Sequence, residues 1–167
     1  LACSIGQCTL ILKDRYPDSE ITGLDVGLPM VKYAHWQAVK RGVDVNFVQG
    51  LSEETKIDAD KFDMVLSYIL FHEIPVRVIK ETVREMFRIL RPGGTFCIYE
   101  FPSAGPNMPA SQRWMIDYDS INNCEPYSPG FVCMDFHKEL KDAGFNVKPG
   151  PKNSNGFLQT IVATKPA

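Results

Sequence analysis

The sequence predicts an α/β fold, and three observations predict it. Apolar runs alternate with amphipathic stretches through the first hundred residues, with no internal repeat and no low-complexity tract between them. Two of the runs, Phe62 to Leu70 and Thr95 to Tyr99, are almost continuously apolar, as befits parallel strands covered on both faces. The two shorter runs, Ile21 to Asp25 and Val43 to Val48, are each bounded by glycine or by charged residues. A length of 167 residues suits one domain with a single core.

The elements follow in order. Leu10 to Tyr16 reads as a short helix, and Ile21 to Asp25 as a short strand. Pro29 to Arg41 is a helix that carries proline in its first turn, with Gly42 where a left-handed cap residue is wanted. Val43 to Val48 is a second strand and Phe62 to Leu70 a third. The clearest helix runs from Pro75 to Leu90, with Val76, Ile79, Val83, Met86, Phe87 and Leu90 on one stripe and Arg77 four residues before Glu81 on the charged face. Arg91-Pro92-Gly93-Gly94 is read as its stop signal, and the strand at Thr95 to Tyr99 follows. Residues 102–130 change character: four prolines follow Pro102, and Trp114, Tyr118 and Tyr127 stand among polar residues. This stretch reads as an insertion whose middle, Ser111 to Ile121, is helical. Asp135 is placed as the N-cap of a short helix reaching Gly144. Phe145 to Lys148 and Phe157 to Thr164 form a closing antiparallel pair around a turn at 149–156.

Composition narrows the function. A net charge of -2 leaves no excess of cations to neutralise a phosphate backbone, so a small molecule is a better partner than nucleic acid. No apolar run approaches the ~20 residues of a membrane span, and no charged segment precedes an apolar one at the start, so a cytoplasmic location is expected. The five cysteines, Cys3, Cys8, Cys97, Cys124 and Cys133, contain no C-x-x-C pair, so neither a disulfide framework nor a metal site is expected.

Parallel α/β sheets bind ligands outside the carboxyl ends of their strands, so the strand ends carry the candidates. Ala2, Ser4 and Gly6 lie in a loop of small residues leading into a helix, where backbone N–H groups can approach a ligand closely. A tight structural turn is the other use of such a loop. Asp25 closes its strand 19 residues beyond Gly6, with Val26 beside it. A carboxylate there can accept hydrogen bonds from both hydroxyls of a ribose, or it can cap the helix that follows; ribose binding is the expectation. Gly50, Leu51 and Ser52 end the next strand and can wall an adenine pocket. Ser67 and Tyr68, followed by His72 and Glu73, end the long third strand.

These segments, LACSIGQCT, ITGLDVG, VQGLSEE, FDMVLSYILFHEIP and a helix ending in LRPGGTFCIYEF, together resemble class I S-adenosylmethionine-dependent methyltransferases of the type-11, ubiquinone/menaquinone methyltransferase-like group. The resemblance covers residues 1–101, and FHKELKDAGFNVK with GFLQTIVATKP is similar to that family's last helix and strand pair. It implies a doubly wound, mostly parallel, seven-stranded Rossmann-like sheet with an antiparallel closing strand. The family's first strand would precede Leu1, so an N-terminal extension is expected to supply it. It also implies S-adenosylmethionine as cofactor, with Ala2, Ser4 and Gly6 under its methionine part, Asp25 on its ribose, and Leu51 and Ser52 near its adenine. Ser67 and Tyr68 would face the reacting methyl group. The family usually carries glycine where this chain has Ala2 and Ser4, and often an acid where it has Leu51.

The expected reaction is in-line transfer of the methyl group to O, N or C of a small acceptor, which demands alignment above all. His72 is the candidate base if the acceptor must lose a proton, packing or capping being its other use. Glu100 closes its strand and either binds substrate or stays a solvated carboxylate. Trp114, Tyr118, Asn122 and Tyr127 are candidates for an acceptor pocket; the alternative is that Trp114 and Tyr118 pack the insertion onto the sheet. His35 and His137 sit on polar helix faces and are expected to be solvated. A cofactor-binding module without turnover is the competing function, and a nicotinamide-dependent oxidoreductase is a third.

Overall fold

The computed structural model describes residues 1–103, 105, 108–149 and 158–167, which form two compact units, Leu1–Lys56 and Ile57–Ala167.

In the first unit, helix α1 (Gln7–Arg15) precedes strand β1 (Thr22–Asp25), helix α2 (Leu28–Arg41) and strand β2 (Asn46–Gln49). The strands pair in parallel, with Thr22 opposite Asn46 and Asp25 opposite Gln49. Leu10, Ala38 and Val45 form the buried centre, flanked by Ile21, Val43 and Phe47. As its position predicts, Gly42 ends α2 at φ 67°, a conformation that costs glycine little.

The second unit opens with β3 (Phe62–Tyr68), a 3-10 turn at Phe71–Glu73, α3 (Val76–Ile89) and β4 (Leu90–Glu100). Helices α4 (Ala110–Asn122), α5 (Ser128–Cys133) and α6 (Phe136–Asp142) follow, then β5 (Asn146–Pro149) and β6 (Gln159–Thr164). The strand order is β3-β4-β6-β5; β3 and β4 are parallel, and the other two pairings are antiparallel. The closing antiparallel pair is therefore present, while the turn expected at 149–156 lies outside the described residues from 150 onward. Ile79, Val83 and Met86 of α3 are fully buried, each contributing about 1.5–3 kcal/mol through removal from water. Aromatic rings fill the rest: Phe71 packs on Phe96, Phe131 and Phe136, and Phe145 on Phe87 and Phe96.

The described residues carry six strands, two in one sheet and four in the other. Two expectations are revised. The Arg91-Pro92-Gly93-Gly94 tract lies within β4: the register steps from Phe62 opposite Leu90 to Met64 opposite Thr95, so these four residues bulge from β3. Gly93, at φ 80°, donates its N–H to Lys165 O, and Lys165 N–H returns a bond to Gly94 O, so the bulge is paired on its other side. Helix α5, which periodicity did not suggest, is anchored by Phe131 at 0% exposure.

Candidate functional site

Each unit carries one constellation at its strand ends. In the first unit the small-residue loop runs beside β1, with Cys3 N–H donating to Leu24 O at 2.9 Å. The Asp25 carboxylate organises the loop: Oδ2 accepts the Ser4 N–H at 2.7 Å and Oδ1 accepts the Gly27 N–H at 2.8 Å. These are charge-assisted bonds, and each oxygen keeps a further lone pair for a ligand. Asp25 does not cap α2, whose N-cap is Gly27. Ala2 and Ser4 adopt φ of 52° and 47°, and Gly6 φ of 78°. The first two are left-handed conformations held by residues with a Cβ, which explains why glycine is usual at these places in the resembled family. At Gly6 a Cβ would come within 2.8 Å of both Ala34 Cβ and Phe47 Cζ, so no larger residue fits.

The β2 end is tied to the β1 end. Gly50 N–H donates to Asp25 O at 3.0 Å, and Gln49 Nε2 donates to Val26 O at 3.1 Å. Val26 and Leu51 are exposed, so two apolar side chains at the ends of β1 and β2 stand uncovered among the described residues. Ser52 Oγ lies 3.1 Å from Glu53 Oε2. The Cys3 thiol is pushed up to about 11 by burial and by the Asp25 charge, which makes it unreactive at neutral pH.

In the second unit β3 ends with Ser67 and Tyr68 pointing to opposite faces. Ser67 is fully buried and its Oγ has no hydrogen-bond partner among the described residues. Tyr68 is half exposed and stacks on Tyr99 with ring centres 5.2 Å apart. The chain then turns through Ile69 at φ 52°, a strained conformation for a β-branched residue, fixed by its N–H on Tyr99 O. That turn delivers His72.

His72 is buried, and its Nδ1 lies 2.7 Å from Glu100 Oε1. Glu100, at 0% exposure, also accepts the Phe71 and Phe101 N–H groups at 2.7 Å each. The solvated-carboxylate reading of Glu100 is thereby corrected: a charge with three donors is worth burying where a lone one is not. His72 Nε2 faces Glu73 Oε1 at 3.5 Å and Glu125 Oε2 at 4.0 Å. Burial alone would lower the imidazole's pKa, but the Glu100 hydrogen bond and the charges of Glu100, Glu73 and Glu125 outweigh it and raise it. Glu125 escaped sequence reasoning, since a lone acid before a proline in an insertion carries no periodic signal.

The insertion's aromatic residues do not pack onto the sheet. Trp114 and Tyr118 are 66% and 58% exposed and stack on each other at 5.6 Å along one side of α4. Asn122 is exposed with its amide donating to Tyr118 O, and Tyr127 is also exposed. His35 is solvent-exposed, while His137 is half-buried rather than solvated. No helix among the described residues is long and apolar enough to cross a membrane.

Comparison with known proteins fits this arrangement. A demethylmenaquinone methyltransferase of Thermus thermophilus is 31% identical over 102 residues, covering 61% of this chain and 46% of that protein. The chain thus spans about half the length of that relative. A solved protein of Pyrococcus horikoshii superposes with a TM-score of 0.75 at 18% identity, covering 98% of this chain and 79% of that one. The phosphoethanolamine N-methyltransferase 2 of Haemonchus contortus, solved in complex with S-adenosyl-L-methionine, superposes at 0.74 with 14% identity, covering 99% of this chain and 47% of that one. Both likenesses show a shared Rossmann-like α/β fold. The family model described as a methyltransferase domain matches residues 1–94, more than half the chain, and bears out the resemblance of the motifs: this chain belongs to the class I S-adenosylmethionine-dependent methyltransferases.

Proposed function

We propose that this chain binds S-adenosylmethionine and transfers its methyl group to an O, N or C atom of a small acceptor in the cytoplasm. The two units would act as one methyltransferase domain, with residues 102–130 as its substrate-side insertion. The observation that carries the reading is the Asp25 clamp: one carboxylate orders the small-residue loop through Ser4 and keeps a free lone pair on each oxygen. Those lone pairs suit the two hydroxyls of a ribose. The loop around Ala2, Ser4 and Gly6 leaves room for the amino-acid end, and Val26, Gly50, Leu51 and Ser52 provide an apolar wall with one hydroxyl for the base. When bound, the cofactor supplies an electrophilic methyl group on sulfur.

The chain's own contribution is then alignment and the handling of a proton. Tyr68, stacked and half exposed, offers a flat face at the end of β3, and Ser67 contributes its backbone. Where the acceptor must lose a proton, His72 in its neutral form is positioned to take it at Nε2, with Glu100 fixing the ring and stabilising the imidazolium. Exposed Trp114 and Tyr118, with Asn122 and Tyr127, suit an acceptor that is partly apolar.

Calorimetric titration with S-adenosylmethionine and with its demethylated product tests the reading. Both should bind to the wild type, and Asp25→Ala should weaken them at least tenfold, since it removes the ribose partner and frees the loop. Unchanged affinity in Asp25→Ala overturns the ribose assignment. Binding of NADH in place of either compound overturns the cofactor. Tight binding with no turnover on any acceptor in a screen would favour the non-catalytic module.

A further inference from the structure

We infer that His72, Glu73 and Glu125 form a binding site for a divalent first-row transition-metal cation, with Glu100 orienting the imidazole from behind. Three carboxylates converge on one ring. Glu100 holds Nδ1 at 2.7 Å, which directs the remaining nitrogen, Nε2, toward Glu73 Oε1 at 3.5 Å and Glu125 Oε2 at 4.0 Å. All three potential ligand atoms lie within 4.8 Å of one another. Around a four-coordinate zinc ion with bonds of 2.0–2.1 Å, neighbouring ligand atoms stand about 3.3 Å apart. Side-chain rotation of Glu73, which is exposed, and of Glu125 closes that gap without moving His72.

Two further observations point to a cation. Glu125 Oε2 is buried and has no hydrogen-bond partner among the described residues, an orphan acceptor facing Nε2. No lysine or arginine among the described residues pairs with Glu73, Glu100 or Glu125; the ion pairs of Arg77, Lys80, Arg88, Arg91, Lys138 and Lys165 are all made elsewhere. The cluster therefore keeps a net negative charge even with the imidazole protonated, and a divalent ion at Nε2 offsets it. A histidine whose far nitrogen is held by a carboxylate is the usual geometry of a metal-bound imidazole. Imidazole with two carboxylates suits zinc, cobalt(II) or manganese(II) better than calcium or magnesium. The three ligands leave a fourth position open.

Binding rests on this geometry alone; its effect on turnover rests on the proposed methyl transfer. An ion at Nε2 takes the lone pair a base would use, so zinc should suppress transfer to acceptors that must lose a proton.

The site is tested by titrating Co²⁺ and Zn²⁺ into chelator-treated full-length protein, read by visible absorption and calorimetry, independently of any methylation assay. One equivalent of Co²⁺ should give d–d bands without thiolate charge-transfer absorption, and Zn²⁺ should displace it. Glu125→Gln should weaken both at least tenfold with an unchanged circular dichroism spectrum. His72→Gln should abolish binding, and because that buried change risks the fold, Glu125→Gln and Glu73→Gln decide the matter. No stoichiometric binding, thiolate bands, or affinity unchanged from wild type in both glutamate variants overturns the inference.

Discussion

At the scale of single residues, the left-handed backbone of Ala2 and Ser4 has a measurable consequence. A residue with a Cβ held in that region costs on the order of 1–3 kcal/mol, and glycine removes this at an entropic cost of roughly 0.5–1 kcal/mol. Ser4→Gly should therefore raise stability, by up to about 2.5 kcal/mol, in denaturant unfolding, whereas an ordinary surface serine replaced by glycine would lose stability. Asp25 and His72 were legible in the sequence because a strand end fixes where a side chain stands. Glu125 was not, because it reaches His72 from 53 residues away through the folding of the insertion. Glu100 was found by position, but whether it faced water or a partner depended on Phe71 and His72, brought from elsewhere in the chain to join the adjacent Phe101 N–H.

At the scale of elements, local chemistry was a good guide. Gly42 caps α2 in the left-handed region, and Asp135 Oδ1 accepts the Lys138 N–H at 2.9 Å to start α6, as their sequence positions imply. The α3 stripe likewise became a buried face. Met86, at 0% exposure, sits in the middle of it, so Met86→Ala should cost about 2–5 kcal/mol, checked by chemical denaturation. The Pro-Gly-Gly tract was read as a helix stop alone because those residues break helices and bulge strands equally well. Only the pairing of Gly93 and Gly94 with Lys165 decides between the two uses. The α4 helix was placed to within a residue at either end, yet its amphipathic pattern could not say that its aromatic side would stay bare.

At the scale of the whole molecule, the alternation of strand and helix was plain from the apolar rhythm, while the division of strands between sheets was not, since pairing depends on contacts that no local pattern encodes. The two sheets differ in support. β4 is paired on both sides over most of its length, whereas β1 and β2 have one another alone among the described residues. A two-stranded sheet is marginal by itself. In native-state hydrogen exchange the amides of residues 95–100 should be the slowest, and those of 22–25 and 46–49 should exchange through smaller openings; equal protection in both sets would contradict this. The Asp25 clamp also bears on what residue 4 can be. Because the carboxylate grips that residue's amide and not its side chain, the bend tolerates a Cβ at the cost of its strained backbone, and the cradle does not depend on a run of glycines to keep its shape.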